Sequence, residues 1–578
     1  MKSLLIYLKH YIKESILGPL FKLLEASFEL FVPLVVAAII DNGISSGDRT
    51  YIVTRVLIMI GLGVIGLACA LTAQYFAAKA ATGFATELRH SLYVHIQDLS
   101  FTEIDRVGTA KLINRMTSDV NSVQACVNMV LRLFLRSPFI VFGAMIMAFT
   151  IDVKCALIFC VTIPVLAVVV FGIMLVSIPL YKKVQTRLDR ILKITRENLT
   201  GTRVVRAFNR EEAEIKDFNE GNTALNKVQI FAGKISSLMN PLTFVVINVA
   251  MIILIRFGAI RVDNGAITQG EVVALVNYMS QILVELVKLA NLIIQITKAF
   301  ASSNRIKEVL DMESSMKFPD ESAKPVDSPY AVEFRNVGLS YKDARLEALS
   351  GIDFKVKKGQ TVGIIGGTGS GKTSLVHMIP RFYDATGGQV LVDGIDVKDY
   401  TKEELRDKIG IVMQKAVLFK GTIRDNMKWG REDASDEEIK SAIETAQAAE
   451  FVFDKEGGLD YMVSQGGRNL SGGQRQRLTI ARALVKKPEI LILDDSSSAL
   501  DYATDARLRA AIAGLEGNIT TFIVSQRTAS IHNADLIIVL EDGEIAGMGT
   551  HDELLKNCSV YQEIYNTDSN QTAGGVKA

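Results

Sequence analysis

This chain of 578 residues is short of several things, and each shortage closes off a class of protein. Its five cysteines, Cys69, Cys126, Cys155, Cys160 and Cys558, lack the paired spacing of a zinc site or a disulfide framework. Four of them lie in or beside apolar runs and read as packing residues. None of the six histidines forms a ligand pair. Lys and Arg number 64 against 63 Asp and Glu, and a net charge of +1 argues against a basic nucleic-acid binder. No internal repeat is found. The N-terminal stretch Met1 to Ser15 places Lys2, Lys9, His10 and Lys13 among Leu4, Leu5, Tyr7, Leu8, Tyr11 and Ile12, a pattern suited to the membrane interface. No short apolar core with a small-residue cleavage site follows, so it does not read as a cleaved signal peptide.

Apolar residues are what the chain has in excess: 49% of the total, with a mean hydropathy of +0.25. They are concentrated in the first 300 residues, where six spans can be drawn near 16–40, 52–78, 128–151, 155–180, 239–260 and 271–296. Each approaches the ~20 residues that cross a bilayer. The connections after the first, third and fifth spans are short. The other two, 79–127 and 181–238, are long, helical in pattern and rich in Lys and Arg, which places them on the cytoplasmic side. At ~1.5 Å per residue such helices project tens of ångströms beyond the bilayer.

Several charges fall inside the spans, where they are costly and turn toward a bundle interior. Glu25 and Glu29 lie one helical turn apart in the first span. They either meet a cationic substrate or pair with Arg132, Arg136 or Arg256. Glu285 and Lys288, three apart in the sixth span, satisfy each other on that spacing. Asn240, Asn248, Gln281, Asn291 and Gln295 either line a polar cavity or bond helix to helix.

Beyond the spans, Pro319, Pro325 and Pro329 interrupt a charged run and mark a linker over 312–331. The remainder alternates short apolar runs with charged helices, as a soluble α/β domain does. An apolar run from Thr361 leads into Gly366, Gly367, Thr368, Gly369, Ser370, Gly371, Lys372, Thr373 and Ser374, after which Leu375, Ile379 and Phe382 recur at helical spacing. That is strand, glycine loop and helix, the phosphate-binding loop G-x-x-x-x-G-K-[ST]. Its glycines let backbone N–H groups close on phosphate oxygens, Lys372 adds a full charge, and Thr373 is a Mg²⁺ ligand. A second apolar strand, Glu489 to Asp495, ends in carboxylates at the sheet edge where ligands bind, with Asp494 directed at Mg²⁺.

Between these strands stands Leu470-Ser471-Gly472-Gly473-Gln474, followed by a run of helix formers to Lys487. Ser471 with Gln474 is also a capping box. With this motif the chain resembles an ATP-binding cassette (ABC) half-transporter, from the first span to about residue 565. The resemblance implies a polytopic α-helical membrane domain over 1–311, of the type IV exporter kind, with six spans and long cytoplasmic helical extensions. An α/β P-loop ATPase domain with an antiparallel β subdomain follows over 332–565, then a disordered tail over 566–578. It implies ATP and Mg²⁺, cytoplasmic termini and ATPase domain in a multi-pass protein of the cytoplasmic membrane, the bilayer and a small amphipathic or hydrophobic substrate as partners, and no nucleic acid. It assigns Tyr341 to adenine stacking, Gln414 to sensing Mg²⁺ and attacking water, Asp501 to the loop joining two ATP sites, and Val463 to Gly467 to cross-talk with the membrane domain. Ser471, Gly472, Gly473 and Gln474 face ATP held by the opposite subunit. Ile104 to Gly108 and Phe208 to Glu212 match the coupling helices that rest on ATPase domains.

Two positions depart from the family pattern. Asp495 stands where a general-base Glu is expected, with its carboxylate drawn back by roughly 1 Å, an error worth on the order of 10²-fold in rate. Gln526 stands where a switch His is expected, and Gln cannot become cationic in support of the transition state. Both fall in this chain's own site, whereas the motif offered to the partner is intact. The asymmetry points to a heterodimeric multidrug exporter in which this chain carries the degenerate site. Peptide or lipid export, a gated channel or regulator on the same scaffold, and a slow homodimer are the alternatives.

Overall fold

The computed structural model describes residues 2–342, 345–515 and 517–574, which form two compact units. The first comprises 1–97 and 108–312, the second 98–107 and 313–578. The ten residues 98–107 therefore group with the C-terminal unit, across the boundary expected at residue 311.

The first unit is helical. Its long elements are α1 (Ile12–Ala38), α2 (Arg49–Asp98), α4 (Val120–Leu133) continuing into α5 (Arg136–Ile151), α6 (Val153–Thr200), α7 (Glu211–Ser237) continuing into α8 (Met239–Asp263), and α9 (Gln269–Leu310); a short helix of the second unit, α3 (Phe101–Val107), lies between α2 and α4. Among the described residues, six helical stretches are long and apolar enough to cross a membrane, and each contains one of the six spans read from the sequence. The short connections are tied by polar contacts. Asp152 caps α6 by accepting from the Cys155 N–H at 2.9 Å and binds Arg261 through Nε and Nη2 at 3.1 and 2.6 Å. Asp41 accepts from Thr268 Oγ1 at 2.5 Å and from the Gly270 N–H at 2.8 Å. Gly270 is required where α9 begins, because a Cβ there would lie 2.3 Å from the Ala37 carbonyl oxygen. In the N-terminal segment Leu4 is buried and the Tyr7 hydroxyl lies 2.9 Å from Ser91 Oγ on α2, while Leu5 and Ile6 are exposed.

Among the described residues the second unit holds three sheets, the smallest pairing Gly421–Thr422 with Met462–Val463. Strands β1 (Tyr330–Leu339), β2 (Leu349–Lys357), β4 (Gly387–Val392) and β5 (Ile395–Asp396) form an antiparallel sheet in the order β2-β1-β4-β5. Strands β3 (Thr361–Gly366), β6 (Ile409–Val412), β7 (Ile490–Asp494), β8 (Thr520–Val524), β9 (Leu536–Glu541) and β10 (Glu544–Gly549) form the largest, in the order β10-β9-β3-β8-β7-β6. All its pairs are parallel except β9 with β10, the hairpin that turns at Asp542-Gly543. The central strands β3, β7 and β8 are buried almost throughout, which is why they read as continuous apolar runs and not as alternation. The last helix, α13, spans Ser559–Gly574 where a disordered tail was expected from residue 566. Asp568 gives it an anchor by accepting from the Thr528 N–H and Oγ1 at 2.8 and 2.7 Å. Residues 575–578 of that tail lie outside the described residues.

Candidate nucleotide site and membrane charges

Strand register sets the site. Val524 pairs with Asp494 and with Ile364, so the C-terminal ends of β3, β7 and β8 stop side by side. Onto that edge the chain delivers Gly366 to Ser370, Asp494 and Asp495, and Ser525 to Arg527. A cavity of about 770 Å³ opens there, with Gly366, Gly367, Thr368, Ser370, Asp495 and Gln526 among its walls; Lys372, Thr373 and Asp494 lie behind them and do not line it. Helix α13 supplies Glu563, Ile564, Thr567 and Asp568 to the same cavity.

The loop before α10 (Lys372–Met378) is shaped for close approach by backbone. Gly369 and Gly371 have φ of +88° and +95°, and a Cβ on Gly366 would sit 2.1 Å from the Leu540 carbonyl oxygen. Gly367, Thr368 and Gly369 are exposed, leaving their N–H groups accessible to an anion. Lys372 is buried and donates to the carbonyl oxygens of Gly366 and Gly367 at 2.9 and 2.6 Å. Burial lowers its pKa, opposed by the charges of Asp495 and Asp494.

Thr373 Oγ1 donates to Asp494 Oδ1 at 3.0 Å. Asp494 is only 1% exposed, and its Oδ2 has no hydrogen-bond partner among the described residues. A buried carboxylate oxygen without a hydrogen-bond partner among the described residues, beside a threonine hydroxyl, fits a hard divalent cation such as Mg²⁺. Next to it, Asp495 takes φ of +46°, a left-handed turn that Asp tolerates better than most residues. The turn brings Oδ2 to 3.3 Å from Gln414 Nε2. Burial raises the Asp495 pKa, an effect only partly offset by the Gln414 hydrogen bond. Gln526 is exposed on the same rim.

Tyr341 stands on the other side of α10, its hydroxyl 2.9 Å from Ser374 Oγ. Its ring meets Tyr383 edge-on at 5.1 Å. The Tyr383 hydroxyl donates to Asp105 on α3 at 2.6 Å, and Phe101 of α3 stacks on Phe382 at 4.6 Å. Burial, followed by the Asp105 contact, pushes the Tyr383 phenol up. Glu103 of the same helix bonds Ser100 and Ser315; burial would raise its pKa, but these hydrogen bonds outweigh it and hold the carboxyl below its usual range. Asp105 falls within Ile104 to Gly108, matched to a coupling helix, whereas sequence pattern did not single out Tyr383 or His377, whose Nε2 lies 3.6 Å from Asp494 Oδ2. An aromatic pair at the end of the α10 segment was the one available signal.

Ser471 and Gly472 stand apart from this cavity, exposed at the start of α11 (Gly472–Val485). The capping box is complete: the Gln474 N–H donates to Ser471 Oγ at 3.3 Å, and the Ser471 N–H to Gln474 Oε1 at 3.0 Å. A Cβ on Gly473 would lie 3.1 Å from the Ala499 carbonyl oxygen, so the glycine admits the neighbouring loop. Asp501 caps α12 (Tyr502–Ala513) by accepting from the Thr504 N–H at 2.9 Å.

The membrane charges sort themselves. Glu25 pairs with Lys22, three residues away, and not with an arginine. Glu29 pairs with Arg136, and Glu285 with Arg136 and Lys288. No ion pair joins Arg132 or Arg256 to these acids among the described residues.

A glycine loop between a parallel strand and a helix, with a threonine and a buried carboxylate beside it, defines a P-loop ATPase, here carried on a helical membrane domain of six spans. Residues 15–286 match the family described as "ABC transporter transmembrane region", and 349–498 the family "ABC transporter". The chain belongs to the ABC transporter family. It is 37% identical, over 96% of each chain, to a Mycobacterium tuberculosis protein named an uncharacterized ABC transporter ATP-binding protein. It is 33% identical, over 98% of each, to the putative multidrug export ATP-binding/permease protein YgaD of Bacillus subtilis. An ATP-dependent lipid A-core flippase of Desulfotalea psychrophila shares 31% identity over 96% of this chain and 93% of its own. The fold is also that of a bacterial Atm1-family ABC exporter solved with ATP bound, at a TM-score of 0.80 and 23% identity, covering 96% and 98% of the two chains. This chain is thus a multi-pass membrane protein and an ABC-type exporter ATPase.

Proposed function

We propose that this chain is one half of a heterodimeric exporter of amphipathic or hydrophobic compounds, and that its own ATP site hydrolyses slowly. The observation that carries the reading is the placement of the two departures. Asp495 and Gln526 both border the cavity at this chain's P-loop, while the capped Ser471-Gly472-Gly473-Gln474 turn, apart from that cavity, keeps every family residue. A subunit that weakens its own site and preserves the other's makes sense opposite a partner carrying Glu and His.

In this reading the N–H groups of Gly367 to Gly371 and the Lys372 ammonium hold the ATP phosphates, and Tyr341 packs against adenine. Mg²⁺, when bound, neutralises phosphate charge, and Thr373, Asp494 and Gln414 are the residues that would hold it. Asp495 orients the attacking water from a carboxylate one methylene short, and Gln526 donates a hydrogen bond to the γ-phosphate without adding positive charge. Nucleotide drives transport by favouring the closed pair of ATPase domains, since a ligand with equal affinity for both states would shift nothing. The ATPase domain and both termini lie in the cytoplasm, where ATP is available.

The test is ATP turnover of the purified chain alone and mixed with candidate partner half-transporters. The chain alone is expected to turn over slowly, and the correct partner to raise the rate on the order of 10²-fold. Equal turnover alone and in complex would remove the heterodimer from the proposal.

A further inference from the structure

Glu25, Glu29 and Glu285 of the membrane helices are not equivalent. Glu25 is held by Lys22 at 2.5 Å. Glu285 is 3% exposed and receives Arg136 Nη1 at 2.5 Å, Lys288 Nζ at 2.8 Å and Ser137 Oγ at 2.7 Å. Glu29 accepts from Arg136 Nη2 at 2.7 Å and keeps 42% of its side-chain surface open. Lys288 stays 40% open. Three helices, α1, α5 and α9, thus assemble a row of alternating charge, Glu29, Arg136, Glu285 and Lys288, buried in the middle and open at both ends.

Neither open end suits contact with lipid chains. At about 100° per residue, Glu29 lies roughly opposite the exposed apolar residues Leu20, Leu24 and Phe31 of α1. Lys288 shares its helical stripe with Asn291 and Gln295. A half-open carboxylate or ammonium within a span is tolerated where it faces a polar interior, not hydrocarbon. Polar atoms without hydrogen-bond partners among the described residues lie one turn away: Gln281 Oε1 before Glu285 and Arg132 Nε before Arg136, one an acceptor and the other a donor.

We infer that this row binds a zwitterionic amphipath, its cationic group on the Glu29 carboxylate and its anionic group on the Lys288 ammonium. The inference rests on the exporter reading and narrows its substrate class. The row is neutral overall, so neither sign of ligand is favoured by net charge. A cation alone leaves Lys288 uncompensated, and an anion alone leaves Glu29 so; a dipolar ligand completes both. The Arg136–Glu285 pair is the rigid backing, since removing either partner would strand a buried charge. Specificity comes from the end that a singly charged competitor leaves unmet.

The experiment compares three ligands of one chain length, hexadecylphosphocholine, hexadecyltrimethylammonium and hexadecyl phosphate. Each is bound below its micellar concentration to the full-length protein with its partner subunit in phosphatidylglycerol nanodiscs. The zwitterion is expected to bind about tenfold tighter than either analogue, and Glu29→Gln and Lys288→Gln each to erase that margin. Lys288→Arg keeps the charge and should retain the margin, which separates loss of the ligand contact from loss of the fold. Equal binding of all three ligands, a margin unmoved by both substitutions, or preference for one singly charged analogue would overturn the inference. ATP-driven accumulation of a neutral dye in inverted vesicles runs in parallel. Its absence with the zwitterion margin intact counts against the exporter reading alone.

Discussion

Asp495 combines a left-handed backbone, partial burial and a hydrogen bond from Gln414. Its placement at the P-loop cavity makes a direct prediction: Asp495→Glu with Gln526→His restores hydrolysis at this chain's own site. Turnover should rise at least tenfold in a complex whose partner site has been inactivated, toward the 10²-fold that ~1 Å of misplacement costs. No rise with nucleotide bound would place the defect elsewhere. A pH prediction follows from burial. The folded Asp495 carboxyl has a raised pKa, so its ionisation opposes folding: the penalty is absent below the ordinary Asp range and complete above the raised value. Asp495→Asn should therefore raise the thermal midpoint of the ATPase domain at pH 7, and the difference should close toward about pH 3. Residues of this kind were legible because the chemistry demanded them in order along the chain. Lys372, Thr373, Asp494 and Ser471 all come within short motifs whose flanking strands and helices are local.

Contacts across long sequence separations were not legible. Tyr383 and Asp105 are 278 positions apart, and Arg136 and Glu285 are 149 apart; no periodicity relates them, and only packing brings them together. At the level of elements, α3 depends on two such contacts, the Phe101–Phe382 stack and the Tyr383–Asp105 hydrogen bond. Tyr383→Phe keeps the ring against Tyr341 and deletes the bond, worth about 1 kcal/mol. Amide exchange over Phe101–Val107 is expected to quicken about fivefold, with ATP affinity unchanged; unaltered exchange would show that the hydrogen bond contributes nothing to holding α3. Helix ends were read less well than helices. The helix after the P-loop closes at Met378 and not Phe382, because the chain must turn to present Phe382 and Tyr383 to α3. Helix α13 continues past the expected end of the domain because Asp568 ties it to Thr528, a contact 40 positions back.

For the molecule as a whole, the number of spans and an ATPase domain combining an antiparallel sheet with a mostly parallel one could both be anticipated. Apolar length and strand burial are one-dimensional signals. The grouping of residues 98–107 with the C-terminal unit was foreshadowed only by the match of Ile104 to Gly108 to a coupling helix; the segment's own pattern, polar, short and embedded between spans, does not give it. It has a practical consequence for dissecting the protein. A fragment beginning at Glu313 carries every ATP-site residue this chain provides, yet lacks the helix that covers Phe382, which is 9% exposed in the full chain. The excised domain 313–578 should aggregate or melt at lower temperature than the same domain with a peptide of residues 98–107 supplied in trans, as measured by scanning fluorimetry. A midpoint that ignores the peptide would mean the Phe101 contact is dispensable. The ATPase domain is therefore not a cassette that can be lifted out at its linker: part of its surface is encoded more than 200 residues upstream, so an exchange of domains between relatives must carry that loop with it.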